Sequence, residues 1–282
     1  VIDRNLLRDT LSMYPAQPAT AVWRAVEIGA LLDVGIPEGR GLDLGCGDGK
    51  LTALMLQCAG TRRLVGVDLD TLEVRAAERS GLYEAVHDAP ADCVPEADQS
   101  FDFVISNSVL EHVPTLEPVL HEVARLLRPG GRFLFTVPGP GFHANLRGSL
   151  LPWVPRERYL QDLDRRLTHL RYPTAEDWQL LCRDAGLCFD GCLGYLDRDK
   201  TQLWETLSRF TGGLLYASFG KRRAPIRIQR DLGLRQLQNR VRIPAVLSSA
   251  MTAVVCRGMS GTGARWLPEA AASCVLVHGT RP

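Results

Sequence analysis

The chain has 282 residues, a mass of 31.1 kDa, a formal net charge of +1 and a pI near 7.7. That length can bury a full core as one domain with elaborations, and near-neutrality excludes a global attraction to polyanions such as nucleic acid. Residues 1–14 carry Asp3, Arg4, Arg8 and Asp9, which argues against a signal peptide, and no stretch approaches the roughly 18 apolar residues of a membrane span.

Residues 1–33 read as one or two helices. Ala21 to Leu32 has apolar residues at helical spacing and is placed over the first strand's edge or the ligand mouth. Arg24 and Glu27 read as an exposed ion pair, with substrate contact as the competing reading. Next comes GLDLGCGDGK, Gly41 to Lys50: a buried parallel strand end running into a turn with Gly45, Gly47 and Gly49 at alternating positions. Glycine there permits positive φ and close approach of a ligand to the backbone. Leu51 to Ala59 is helical, so its free N–H groups face the turn.

The spacing is G-x-G-x-G, not the G-x-G-x-x-G of dinucleotide sites, and Asp43 precedes it. A carboxylate beside a pyrophosphate repels; beside an ammonium or sulfonium it attracts. Leu64 to Asp68 is a second strand, with Asp68 lying 23 residues after Gly45, near the spacing of an acid that takes ribose hydroxyls. Asp70 is expected to cap the helix Leu72–Ser80. Tyr83 to His87 is a weak third strand, followed by Asp88 and Ala89. Phe101–Ser106 is the fourth, and SNSVLEHV turns off its carboxyl end, where open α/β sheets place ligands. Leu116–Leu127 is an amphipathic helix stopped by Arg128-Pro129-Gly130-Gly131, and Arg132–Val137 is the fifth strand.

LDLGCGDG, the LVGVD strand, the Asp88-Ala89 pair and the SNSVLEH turn together resemble the motifs of class I S-adenosylmethionine (SAM)-dependent methyltransferases over about residues 38–140. The resemblance implies a seven-stranded, mostly parallel Rossmann-like α/β sheet with helices on both faces. It implies SAM as cofactor, with the backbone of Gly45, Cys46 and Gly47 at the methionine part and Asp43 attracting the ammonium group. Asp68, with Leu69 beside it, takes the ribose; Asp88 and Ala89 take the adenine; Asn107 takes the methionine end or the acceptor. A nicotinamide dehydrogenase, and a SAM-binding fold that partners another enzyme or does other chemistry, are the rival readings.

Beyond the fifth strand, Phe142 to Tyr172 reads as irregular, with Pro152 and Pro155 breaking any long helix. Thr174–Ala185 is a helix capped by Thr174 with Asp177 three residues on, Leu187 to Leu196 a sixth strand, and Ala272 to Thr280 a seventh. The domain expectation is an N-terminal helical segment 1–33 and a core of 34–196 plus 270–282. Residues 141–173 form a lid insertion, and 197–269 an inserted helical cap. In the cap, Lys221 to Arg242 carries eight basic residues against one acid, and the nearly uncharged Ile243 to Cys256 follows. Arg222, Arg223, Arg227 and Arg230 suit a diphosphate on a phosphorylated or lipid-linked acceptor. The 221–256 stretch also suits peripheral membrane contact, and a solvated cap helix competes with both. No nucleic-acid motif accompanies the charge.

Methyl transfer to a hydroxyl needs in-line positioning and a base. Candidates are Glu111 and His112 on the turn after the fourth strand, then His143, His169 and Tyr172 from the lid. The eight cysteines form no C-x-x-C pair, and Asp and His do not cluster at ligand spacing, so no metal is expected. Free thiols fit a reducing cytoplasm. The expected reaction is O-methylation of a sugar-like, nucleoside-like or lipid-linked small acceptor in glycan or secondary-metabolite biosynthesis.

Overall fold

A computed structural model describes residues 3–14, 17–218, 253–255, 257 and 266–282. Two helices, α1 (Arg4–Met13) and α2 (Pro18–Val34), precede the alternation β1 (Arg40–Leu44), α3 (Lys50–Ala59), β2 (Arg63–Asp68), α4 (Thr71–Ser80), β3 (Ala85–Asp88) and β4 (Phe101–Asn107). A 3-10 turn at Leu110–His112 leads to α5 (Leu116–Leu126) and β5 (Leu127–Pro138). After these come α6 (Phe142–Asn145), α7 (Arg156–Leu167), α8 (Ala175–Asp184), β6 (Cys188–Tyr195), α9 (Arg198–Ser208), α10 (Leu214–Ser218) and β7 (Cys274–Thr280).

The strands form one sheet in the order β3-β2-β1-β4-β5-β7-β6, with β7 antiparallel to both neighbours. Strand order reverses between β1 and β4, the switch point where open α/β sheets bind ligands. Pairing of β6 with β7 makes Asp197 to Glu269 an insertion within one hairpin. Side chains alternate across the sheet, as its period of two demands. Phe103, Ile105, Leu134 and Leu276 face α1, α2 and α3, while Val104, Phe133, Phe135, Val275 and Val277 face α5 and α8. Phe101, Phe103, Phe133 and Phe135 are fully buried, each stabilising the fold by roughly 2–3 kcal/mol.

Two stretches differ from the sequence expectation. Residues 156–167 are helical, not irregular: Pro155 stands at the N-cap, before the first intrahelical N–H is needed, so it starts α7 rather than breaking it. Only Leu163 of that helix is fully buried, so its sequence shows a weak apolar stripe. The Arg128–Gly131 stretch does end α5, but it continues directly into β5, with Leu127 already paired to Phe101 through a bulge. The capping box at Thr174 and Asp177 is present, with Asp177 Oδ2 accepting from the Thr174 N–H at 2.8 Å. Among the described residues no helix is long and apolar enough to cross a membrane. The basic stretch with Arg222, Arg223, Arg227 and Arg230 lies outside the described residues.

Candidate active site

The site is built at the carboxyl ends of β1, β2 and β4. Gly45, Gly47 and Gly49 adopt φ of +81°, +55° and +76°, the left-handed conformations the three-glycine turn requires. Gly45 N–H and Cys46 N–H donate to Val67 O at 2.8 and 3.0 Å, stitching the turn to β2. A Cβ on Gly45 would lie 2.2 Å from Val109, whereas one on Gly47 would meet nothing within 4 Å. The turn is therefore closed on its β4 side and open at Gly47, which leaves space for a ligand against the backbone.

Asp68 holds this turn from β2. Its Oδ2 accepts from Gly47 N–H at 2.9 Å and its Oδ1 from Asp70 N–H at 2.8 Å. Leu69 beside it is 70 % exposed, an apolar side chain left uncovered at the turn's edge. Asp70 caps α4 through Leu72 N–H. Asp88 is exposed, accepts from Thr71 Oγ1 at 2.7 Å, and sits in register with Asp68, while Ala89 N–H donates to Asp68 O at 3.2 Å. Asn107 Oδ1 accepts from Thr136 Oγ1 at 2.5 Å at the end of β4. Cys46 is buried, its sulfur against Gly66, so any ligand contact falls to its backbone.

Asp43, expected to attract an ammonium group, lies beneath the turn rather than at its open face. Its neighbours Leu42 and Leu44 face α5, so the alternation turns Asp43 toward α3, where it is buried and accepts from Thr52 Oγ1 at 2.5 Å and Tyr83 O–H at 2.7 Å. Burial pushes its carboxyl up to about 6, with the charge of Asp68 adding to the rise and the two hydroxyls opposing it. It braces the turn from beneath and acts on a ligand only through its field.

Across from the turn, the structure gathers all five candidate proton-transfer residues. His112 and His169 have ring centroids 5.7 Å apart; Tyr172 is 4.6 Å from His143 and 5.7 Å from His169. Leu170 N–H donates to Glu111 O at 2.9 Å, which ties the segment after α7 to the turn after β4. Burial, with the neighbouring His112 ring adding to it, lowers His169 to about 3, and burial also lowers His112. Both imidazoles are therefore neutral at pH 7.

Glu111 is buried with no hydrogen-bond partner on Oε2, and burial, reinforced by the charge of Glu27, raises its carboxyl from 4.5 to about 8. Stability from such a raised acid is complete below its unfolded value and lost as pH rises through the folded one. Glu111→Gln, with no proton to lose, should gain on the unsubstituted protein by a few degrees of Tm as pH rises from 4.5 to about 8, and no further above that. A Tm difference independent of pH in thermal scans would contradict the buried, protonated acid.

Three residues that sequence reasoning missed or misplaced complete the cluster. Glu27 is not an exposed partner of Arg24: it is 1 % exposed and accepts from Trp23 Nε1 at 2.6 Å, from Arg24 Nη1 at 2.7 Å and from Ser108 Oγ. An apolar helix stripe hides such a residue, because α2 is buried nearly all round. Ser108 holds a left-handed φ of +54°, a strained position that nothing in SNSVLEH announced. Asp164, on the overlooked α7, accepts from Tyr172 O–H at 2.5 Å and His143 Nε2 at 2.8 Å. Among the described residues no group of three or more His, Cys, Asp or Glu is arranged to hold a metal. A cavity of about 950 Å³ between α1, α2, α3 and the start of α9 includes none of the candidate residues in its lining and belongs to a different face.

Comparison with known proteins places this geometry. Residues 42–135 match the methyltransferase domain family. The chain is 32 % identical over 178 residues to a ubiquinone biosynthesis O-methyltransferase of Cupriavidus pinatubonensis, covering 60 % of this chain and 68 % of the relative. It is 34 % identical over 131 residues to the malonyl-[acyl-carrier protein] O-methyltransferase of Methylococcus capsulatus, covering 43 % of this chain and about half, 47 %, of that relative. A SAM-dependent methyltransferase structure from Thermotoga maritima shares the fold over 99 % of both chains, with a TM-score of 0.54 at 16 % identity. The open cradle at Gly47 and the acid at the end of β2 fit SAM, and the nicotinamide reading falls away. The chain belongs to the class I SAM-dependent methyltransferases, and S-adenosylmethionine is its cofactor.

Proposed function

We propose that the enzyme methylates an oxygen atom of a small, hydroxyl-bearing acceptor, sugar-like or nucleoside-like compounds being the leading class. The observation that carries this reading is the pair of neutral histidines: His112 Nδ1 donates to Thr168 O at 2.9 Å and its Nε2 lies 3.9 Å from Glu111 Oε1, while His169 Nδ1 meets Tyr172 O at 3.1 Å, so each ring uses Nδ1 and, among the described residues, only that of His169 has an Nε2 with no partner. A hydroxyl must lose its proton as it attacks, and a neutral imidazole, unlike an imidazolium, has a lone pair free to accept it. The two relatives named above are O-methyltransferases, which supports the same atom, whereas a dimethylglycine N-methyltransferase 37 % identical over 129 residues makes an amine acceptor the rival that the test must separate.

In this reading the backbone of Gly45, Cys46 and Gly47 receives the methionine part of SAM, Asp68 and Leu69 the ribose, Asp88 and Ala89 the adenine, and Asn107 the end nearest the acceptor. SAM supplies an already activated methyl group on a sulfonium. The protein's work is then to orient the acceptor, exclude water and remove one proton. His112 and His169 are the candidate bases, with Glu111 as a donor that holds another of the acceptor's oxygens and Tyr172 and His143 behind them. Residues 34–196 with 270–282 form the cofactor core, 141–173 the lid and 197–269 the cap. Arg222, Arg223, Arg227 and Arg230 extend the proposal to a phosphorylated or lipid-linked acceptor.

The test is a panel of hydroxyl, amine and carboxylate acceptors incubated with SAM, with S-adenosylhomocysteine as the readout. Product is expected with hydroxyl acceptors, and His169→Ala should lower that rate roughly 100-fold. Turnover confined to amines would sink the proposal.

A further inference from the structure

Asp164 is the one carboxylate in the lid that touches two of the candidate residues at once, and the cofactor reading gives it no task. Its Oδ1 accepts from Tyr172 O–H at 2.5 Å and from His143 Nε2 at 2.8 Å. A phenol has a single proton, and the short contact commits that proton to the carboxylate. At the remaining contact of 3.1 Å between the Tyr172 oxygen and His169 Nδ1, the oxygen must therefore accept and the imidazole must donate. That fixes His169 as its Nδ1–H tautomer. Among the described residues Nε2 has no partner, so it carries an available lone pair.

We infer that Asp164 is a positioning residue that acts through Tyr172: the Asp164–Tyr172–His169 chain sets the tautomer of His169 so that Nε2 accepts the proton of the methyl acceptor. The role rests on the O-methylation reading above and assigns the base within it. As the oxygen–methyl bond forms, the methyl–sulfur bond breaks with its electron pair going to sulfur, leaving S-adenosylhomocysteine; the proton of the acceptor oxygen passes to His169 Nε2 and gives an imidazolium, whose Nδ1–H stays directed at the Tyr172–Asp164 pair. The carboxylate end of the chain favours that cation without itself taking the proton.

The groups facing His169 are consistent with a base that starts neutral. Tyr172 lies on its own segment, Asp164 comes from α7, His143 from α6, His112 from the 3-10 turn and Arg24 from α2. Phe142 covers the cluster, 5.8 Å from His169 and stacked on Tyr172 at 5.6 Å. His112 reaches the same tautomer by another route, its Nδ1–H bonded to the Thr168 carbonyl. His112 thus needs no relay, whereas His169 depends on Asp164 and Tyr172.

The measurement is long-range ¹⁵N–¹H correlation NMR of the uniformly labelled full chain with S-adenosylhomocysteine added, which reads each histidine's tautomer without an acceptor. The unsubstituted protein is expected to show His169 as the Nδ1–H form. Asp164→Leu frees the Tyr172 proton for Nδ1 and should switch His169 to the Nε2–H form. Tyr172→Phe removes the acceptor and should leave a mixture. With an acceptor from the panel, both variants should lose roughly 10- to 100-fold in kcat, with KM for SAM changed less than about threefold. An Nε2–H tautomer in the unsubstituted protein overturns the proposal, even if a variant fails to fold. So does an unchanged tautomer in a folded Asp164→Leu. Failure of the O-methylation reading would appear separately, as an acceptor panel in which no hydroxyl compound is methylated.

Discussion

Gly45→Ala is expected to destabilise the fold by about 3 kcal/mol and to remove cofactor binding with it. The backbone there has φ of +81°, which an L side chain rarely adopts, and the new methyl would lie 2.2 Å from Val109 Cγ2 and 2.8 Å from its Cγ1. Val109 stands between Ser108 and Glu111 on the turn after β4, so relief of the clash displaces the acceptor side of the site. Gly45 N–H also donates to Val67 O at 2.8 Å, so the turn cannot move away without opening that contact. Gly47→Ala is the instructive contrast. Its φ of +55° costs about 1 kcal/mol, yet its methyl meets nothing within 4 Å, so the protein should stay folded while the ligand loses space. Urea unfolding separates the two, and Val109→Ala should recover part of the stability only in the Gly45→Ala background. Equal stability of Gly45→Ala and the unsubstituted protein would show that the turn is not packed this way.

The second large effect is expected at Glu205, far from the glycine turn in sequence and structure. This carboxylate is 1 % exposed on α9 and accepts from Arg147 N–H at 2.8 Å, Gly148 N–H at 3.2 Å, Tyr159 O–H at 2.6 Å and Arg209 Nη2 at 3.2 Å. It therefore fastens α9 to the segment that carries α7 and, through α7, Asp164. Burial and the Glu205 hydrogen bond together push Tyr159 up to about 12, so the phenol remains a donor at any working pH. Glu205→Ala leaves a guanidinium, a phenol and two amides short of their acceptor and should cost about 3 kcal/mol. Glu205→Gln keeps one acceptor oxygen and should cost less than half of that. Thermal unfolding reads the cost, and hydrogen exchange should show residues 147–167 opening first. Protection unchanged in that segment would separate Glu205 from the lid.

The parts of the molecule that could be read in advance are those with local rules. Three glycines at alternating positions, an acid at the end of β2, a capping box at Thr174 and strands of period two each declare themselves within ten residues. The seven-stranded, mostly parallel sheet followed from the resemblance of those motifs in their order along the chain. What escaped was set by tertiary contact. Glu27 sits on a helix that is apolar almost all round, so its burial depends on Trp23 and Ser108 meeting it from both sides. Asp164 lies on α7, a helix so polar that Pro155 looked like a breaker, and its meaning comes from Tyr172 and His143 arriving from other elements. Charge at Asp43 pointed at a cationic ligand, but its place beneath the turn, set by strand alternation and by Thr52 and Tyr83, was not legible from the motif.

The central claim is that the β1 turn and Asp68 hold the cofactor while the lid histidines serve only the acceptor. Calorimetric titration with S-adenosylhomocysteine tests it most directly, on the unsubstituted protein, Asp68→Ala and His169→Ala. The account predicts that Asp68→Ala weakens binding at least tenfold, about 1.4 kcal/mol or more, while His169→Ala binds as the unsubstituted protein does. Undiminished binding by Asp68→Ala, or its loss in His169→Ala, would contradict it.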